Sequence, residues 1–427
     1  MIKIFIAEEV PSGNRGEAAI LSGIYELFKK KGWDTQISIL SPFYPDVDES
    51  YYKEKYGVVD GVSSFNIPYG LTERDYSTKI WASIYVFIQH TIFAILYKIF
   101  KKNALRIMKA RIWYTYLESD LILVGHDNLF ANPFGSALLF LNSYCVLFSK
   151  LINKKCYIIG ASVGPFKSNI FNSFIKFIFS ISDGVSIRDK ISYDFITKID
   201  KNSKAILSVD PAVMMSPAND DRIAEIFHEN NLKLLKDISY IGFMTSPIMY
   251  KKWCLVNKNL KYGDYIAMLS NALDAVVGPG VEVIIMYHAI FPSVNDDRKI
   301  GMDVYTKMKN KKYAHLLIKE YTSEELKGII GRCRIFVGER THSLIASASI
   351  NTPYLAISHM NNNKTNGLLG DLYDSKENII YVENLNELLL KEKISTLFKN
   401  AEYYKIHLLE KNIEIHKMAM DCLKPIL

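Results

Sequence analysis

The chain has few cysteines. Cys145, Cys156, Cys254, Cys333 and Cys422 are odd in number and scattered. They form no CxxC pair and no metal-ligand spacing, so a disulfide framework is not expected and a reducing cytoplasm is. A basic–aromatic signature of RNA binding is also missing, so no nucleic-acid partner is expected. Short repeats are absent. The apolar run at the start, Met1 to Ala7, is only strand length and is followed by Glu8 and Glu9, which does not suit a secretory signal. Excess charge of one sign is slight: Lys+Arg 52 against Asp+Glu 45 gives +7. Much of it lies in short clusters such as Lys29–Lys31, Lys101–Lys102 and Lys311–Lys312, which read as solvated faces.

What is present is the composition of a globular protein, 49% hydrophobic and 23% charged. At 427 residues the chain is long for one core, so two domains are expected. In the first half, strand-like runs at Ile2–Ala7, Thr35–Leu40, Leu121–Val124, Cys156–Ile159 and Gly184–Ile187 alternate with helical patterns. The second half restarts the rhythm at Tyr240–Met244, Val281–Met286, Leu316–Ile318, Ile335–Val337 and Tyr354–Ile357. Alternation of this kind implies parallel sheets covered by helices. The expected fold class is α/β, two doubly wound Rossmann-like domains facing across a cleft. The first spans 1–215, the polar stretch 216–236 serves as linker, and the second spans 237–427, its last helix packing back on the first domain. Ligands in such sheets bind beyond the carboxyl ends of the strands.

One segment breaks the rhythm. Residues 80–100 are long enough to span a bilayer, yet carry Ser83, Gln89, His90, Thr91 and Lys98, with Lys101, Lys102, Arg106, Lys109 and Arg111 following. A polar cluster at the midpoint of a spanning helix is costly. Two readings of 80–111 stay open: a helix buried in the fold, or a basic, aromatic-edged helix on an anionic membrane surface.

Polar residues stand at several strand–helix junctions. Gly13-Asn-Arg-Gly-Glu17 joins the first strand to the first helix; it is neither a Walker A loop nor GxGxxG. Gly13 and Gly16 let backbone amides approach an anion, where the helix dipole favours negative charge. Gly160-Ala-Ser-Val-Gly-Pro-Phe166 ends another strand in small residues, and Pro165 and Phe166 argue against a nucleophile elbow at Ser162. Arg188 and Asp189 follow the strand at Gly184–Ile187, where an arginine suits a carboxylate or phosphate. Glu339-Arg-Thr-His342 lies between an apolar strand and a helix of small residues, Ser343–Ser349. Arg340 can meet an anion there, and His342 can exchange a proton near neutral pH. Lys364 is the only charge in the polar loop Asn361–Gly367.

Taken in order, these stretches resemble the polysaccharide pyruvyl transferase family: Gly13-Asn-Arg-Gly-Glu17, Ala161-Ser-Val-Gly-Pro-Phe166, Arg188-Asp189 with Ser192, Asp210-Pro-Ala212, Gly338-Glu-Arg-Thr-His342, Thr352-Pro353 and Lys364-Thr-Asn-Gly367. The resemblance implies a GT-B-like fold and transfer of the pyruvyl group of phosphoenolpyruvate onto two hydroxyls of a sugar or lipid-linked saccharide. The product would be a cyclic ketal in a cell-surface glycan. It implies no metal and no cofactor beyond that co-substrate, and a cytoplasmic enzyme, peripheral at the inner face of the membrane. Arg188, Arg340, His342 and Lys364 carry over as donor-site residues; placing the chemistry on them makes His342 the catalytic acid, with Asp127 and Glu17 the candidate bases. Gly13, Asn14, Arg188, Arg340, Thr341 and Lys364 are the expected donor-binding residues. The chain departs from the family pattern at Gly125-His-Asp-Asn128, where a glycine-rich turn is usual. It also departs at Thr341, which replaces an apolar residue, and in a longer loop before Lys364. A nucleotide-sugar glycosyltransferase and a non-catalytic binder of anionic ligands are the competing readings.

Overall fold

The computed structural model describes residues 1–41, 45–56, 58–62, 76–124, 127–130, 136–235, 237–290 and 296–426. Contacts divide the chain into two units. One comprises Met1–Ser12, Tyr25–Asp210 and Met418–Leu427, the other Gly13–Ile24 and Pro211–Lys417. The boundary after Asp210 falls close to the expected 215, but residues 13–24 group with the second unit. The expected linker 216–236 is not one. It holds a helix, Asp220–Glu229, capped by the Asn219 side chain, with Ile223, Ile226 and Phe227 buried. The polar composition belongs to the helix's outer face, while the apolar residues recur at helical spacing.

The first sheet contains β1 (Ile2–Glu9), β2 (Thr35–Leu40), β3 (Val58–Val62), β4 (Leu121–Val124), β5 (Asp127–Phe130), β6 (Cys156–Val163), β7 (Gly184–Ile187) and β8 (Ile206–Leu207). Its order is β3-β2-β1-β4-β6-β7-β8, with β5 beside β6. The second sheet holds β9 (Ser239–Met244), β10 (Val281–Ile285), β11 (Ala314–Leu316), β12 (Ile335–Gly338), β13 (Tyr354–Ser358) and β14 (Ile379–Tyr381), in the order β11-β10-β9-β12-β13-β14. All recorded pairings are parallel. Central strands such as β6, β12 and β13 are buried along their whole length. A parallel strand covered on both faces needs a continuous apolar run, which is why these were visible in the sequence. The order reverses between β1 and β4 in one sheet and between β9 and β12 in the other, the crevices where open α/β sheets bind ligands.

The segment at 80–100 lies within a helix, Tyr76–Phe100. One face enters the core of the first unit: His90 and Phe93 are buried, and Phe93 stacks on Trp113 at 4.4 Å. His90 Nδ1 donates to the Val86 carbonyl, and Thr91 Oγ1 bonds to Phe87 O and the Tyr144 hydroxyl. The polar midpoint is therefore satisfied inside protein. The other face is exposed, so neither a fully buried helix nor a lipid-spanning one describes it.

Candidate active site

The polar junctions fall into two clusters. In the first unit, Ser162 at the end of β6 donates from Oγ to Asp189 Oδ2, 2.7 Å, and accepts from Arg188 Nε at 2.8 Å. Arg188 Nη1 donates to Asp210 Oδ2 at 2.6 Å, and both side chains are 0% exposed. Asp189 caps the helix Lys190–Ile199 by accepting from Ser192 N, and Ser192 Oγ accepts from Val163 N. This network ties β6, β7 and that helix together. Arg188 was expected to grip a donor anion. It is instead sealed from solvent with its charge taken up by Asp210, because a guanidinium buried this deeply must be paired. Gly160-to-Phe166, Arg188-Asp189, Ser192 and Asp210 thus belong to one structural motif.

The second cluster lies in the second unit, where residues of the first loop meet the carboxyl ends of β9, β10 and β12. Gly13 O accepts from Ile290 N, and Arg15 N donates to His288 O. Asn14 Oδ1 accepts from Gly16 N, capping the helix Arg15–Lys30. In this turn, whose amides were expected to meet an anion, those of Arg15 and Gly16 are used inside the protein, and Asn14 acts as a cap. What the turn does instead is bring Gly16 against His342: a β-carbon on Gly16 would lie 2.1 Å from His342 Nδ1. Only glycine lets the imidazole sit there.

His342 is in the first turn of the helix Thr341–Ser349, whose residues from 342 onward are all buried. Gly338 makes the entry tight, since a β-carbon there would meet Phe336 at 2.6 Å and Leu344 at 3.3 Å. Arg340 precedes the helix and gives it no side-chain cap. The glutamate beside it anchors the junction at the switch between β9 and β12. Glu339 accepts from Thr245 Oγ1, Ser246 N and the Tyr265 hydroxyl at 2.9, 2.6 and 2.6 Å. Burial pushes its carboxyl up to about 7, against the pull of those donors. Glu339 thus fixes the backbone from which Arg340 and His342 project.

Arg340 reaches Asp297 with Nε at 3.1 Å and Nη2 at 2.5 Å. Asp297 is fully buried and also accepts from the backbone amides of His288 and Ala289. Burial raises its carboxyl, while Arg340 and the amides draw it back. Unlike Arg188, the Arg340 side chain keeps 16% of its surface in solvent. A carboxylate holding two of its nitrogens fixes the plane of the guanidinium.

His288 faces His342, the rings tilted by only 12° with centroids 6.3 Å apart. Burial, and after it the charges of His342, Arg340, Arg15 and Lys364, hold His288 well below the usual histidine range. It stays neutral at pH 7 in a strongly cationic environment. Lys364, itself buried, precedes the helical turn Thr365–Leu372, and Thr365 Oγ1 lies 3.0 Å from Thr341 Oγ1. Of the expected residues, the structure gathers Gly13, Asn14, Arg340, Thr341, His342 and Lys364 in one unit. Arg188 sits in the other network. The Asp127 side chain and His126 lie outside the described residues. Among the described residues no group of three or more His, Cys, Asp or Glu is placed to hold a metal ion.

Sequence reasoning missed His288 and Asp297, and gave no role to Arg15 and Glu339 within the motifs that contain them. A signal existed: His288 stands three residues past the end of β10, much as His342 stands four past the end of β12. Asp297 carried none, being one of two adjacent aspartates in a polar stretch. The arrangement as a whole offers a cluster of cationic side chains, an oriented guanidinium and two facing imidazoles, of which one is held neutral. Such a site can bind a small, multiply charged anion and move a proton beside it.

The sequence matches the model of the polysaccharide pyruvyl transferase family over residues 14–362. A similar protein, the amylovoran biosynthesis protein AmsJ of Erwinia amylovora, is 24% identical over 372 residues, which cover 84% of this chain and 83% of AmsJ. Among solved structures, the UDP-GlcNAc 2-epimerase of Neisseria meningitidis bound to UDP-GlcNAc is similar with a TM-score of 0.57 at 13% identity. The match covers 100% of this chain and 99% of that one. A glycosyltransferase from Rickettsia africae gives 0.54 at 11% identity, over 100% and 98%. At such identities the likeness is one of fold: two Rossmann-like domains of the GT-B class.

Proposed function

Since this chain belongs to the polysaccharide pyruvyl transferase family, we propose that it transfers the pyruvyl group of phosphoenolpyruvate to two hydroxyls of a saccharide, forming a ketal. The observation that carries this reading is the seat of His342. It is buried at a helix start, pressed against Gly16 and parallel to His288, among the charges of Arg15, Arg340 and Lys364. A donor bearing both a carboxylate and a phosphate needs several cations and a helix N-terminus. Arg340 and Lys364 hold those groups, with Thr341 at the helix start. The proton of His342 passes to the vinyl methylene carbon as one sugar hydroxyl bonds to the adjacent carbon and gives up its own proton to a carboxylate, which returns it to the imidazole. The bond from that carbon to the phosphate oxygen then breaks, phosphate leaves with the electron pair, and the second hydroxyl closes the ketal. Its proton goes to phosphate or to a carboxylate, for which Asp127 and Glu17 are the candidates.

The acceptor belongs to polysaccharide biosynthesis, and a lipid-linked saccharide would bring the enzyme to the cytoplasmic face of a membrane. Phosphate release from phosphoenolpyruvate across a panel of free and lipid-linked saccharides tests the reading. Release that depends on a saccharide is expected. Turnover of a UDP-sugar with no use of phosphoenolpyruvate would replace it with glycosyl transfer, and thermal stabilisation by phosphoenolpyruvate without phosphate release under any acceptor would leave a binding protein.

A further inference from the structure

We propose that the outer face of the helix Tyr76–Phe100, together with the basic turns after it, is a docking surface for an anionic lipid bilayer, which it meets lying flat. Ile84, Ile88, Ile92, Ile95 and Ile99 recur at spacings of three and four, which places them on one face of the helix. All five are exposed, Ile95 by 54% and Ile99 by 65%. Of the most apolar stretch within Ile84–Ile107, only 17% is buried. A continuous apolar stripe of this kind on a water-facing surface marks an interaction site.

The charge pattern selects the partner. No Asp or Glu occurs between Asp75 and Glu118, while Lys98, Lys101, Lys102, Arg106, Lys109 and Arg111 all lie in that interval and are exposed. A second copy of the same face would bring these cations against one another, since residues 76–117 supply no carboxylate. Anionic headgroups over acyl chains match both features at once, apolar stripe and basic edge. Crossing the bilayer is a different matter, because the opposite face is committed. His90 packs edge-on to Trp113 and Phe148, and Phe93 stacks on Trp113. A spanning helix would have to abandon that core and carry His90 into hydrocarbon.

The test is co-sedimentation of the full chain with vesicles of phosphatidylcholine alone and of phosphatidylcholine with phosphatidylglycerol. Binding is expected only with the anionic lipid, and weaker at high salt. Lys101→Glu/Lys102→Glu should weaken it at least tenfold, since each cation near such a surface is worth about fivefold. Ile92→Glu/Ile95→Glu should abolish it. All four side chains are exposed, so both variants should keep the wild-type melting temperature and wild-type phosphate release with a water-soluble acceptor. A loss of docking is thereby separated from any failure of the transfer reading. Equal binding to both vesicle types, no binding at all, or a dimer dissolved by Ile92→Glu/Ile95→Glu would overturn the proposal. Should a variant misfold, the lipid and salt dependence of the wild type decides alone.

Discussion

Replacing Gly16 with alanine tests the seat of His342 without touching the imidazole's chemistry. The added β-carbon would stand 2.1 Å from Nδ1, 2.9 Å from Cγ and 3.0 Å from Cε1 of His342. Favourable contact begins near ~3.5 Å, so the ring must withdraw by about 1 Å or more. A proton donor displaced by about 1 Å costs roughly 100-fold in rate, or about 2.7 kcal/mol of barrier. The helix itself does not suffer, because alanine is favoured over glycine in helices by up to about 1 kcal/mol. The expected result is thus a variant with a melting temperature near that of wild type and about 100-fold slower phosphate release at saturating phosphoenolpyruvate and acceptor. The same substitution placed in a His342→Ala background has no ring to displace and should cost little more, a coupling that a double-mutant cycle reads directly. Near-normal turnover in Gly16→Ala would refute the reasoning. So would a further 100-fold loss in the His342→Ala background.

Other outcomes follow from the same geometry. His342→Ala and His342→Gln should each lower turnover by about 100-fold or more while still binding phosphoenolpyruvate, since glutamine keeps a donor but transfers no proton; near-normal turnover in the glutamine variant would leave His342 as a hydrogen-bond donor only. Arg340→Ala should raise the apparent phosphoenolpyruvate constant at least tenfold, about 1.4 kcal/mol for one lost charged contact, and wild-type binding would remove Arg340 from the donor site. Arg188→Ala should instead destabilise the fold by roughly 3–5 kcal/mol, because the buried Asp210 carboxylate loses the guanidinium that balances its charge; denaturant unfolding measures this, and an unchanged midpoint would contradict the structural role. Acid should destabilise the protein through His90, which burial lowers from 6.5 to about 4. Between those values the unfolded chain holds a proton that the native state does not, so stability falls as pH drops through that window, by about 3 kcal/mol when complete. His90→Leu should flatten that acid slope in urea titrations, and an unchanged slope would locate the effect elsewhere.

Legibility of the fold depended on burial. β4 and β7 lie at the residues expected from the sequence as runs covered on both faces of a parallel sheet, and β2 does so through alternation, with Ile37 and Ile39 buried. The strands that escaped notice, β3, β5, β8 and β14, are short or carry polar residues, as in Val58–Val62 with its central Asp60 and Gly61. Their identity comes from pairing with a neighbour, which no local pattern records. The helix at Asp220–Glu229 was hidden for a related reason. Only three of its residues are buried, so composition reported its solvent face. The helix Tyr76–Phe100 misled in the opposite sense, since its two faces are both largely apolar but meet different surroundings.

The site was harder to read, and the two arginines show why. Arg188 and Arg340 both follow a parallel strand at its carboxyl end, and both end up on an aspartate distant in sequence. Sequence alone assigns them the same task. What separates them is the depth of the carboxylate's own support. Arg188 is enclosed together with Asp210 and held by Ser162, so its charge is spent on joining strands. Arg340 is held by Asp297, whose remaining acceptor capacity goes to the backbone around His288, and its side chain keeps 16% of its surface in solvent. Asp297 therefore does two jobs at once, orienting the guanidinium and fixing the loop that carries the second imidazole. Strand-end position marks a candidate site residue in this fold, and for these two arginines accessibility is the condition that separates their tasks. That condition is set by a partner chosen across the fold, which local sequence cannot display.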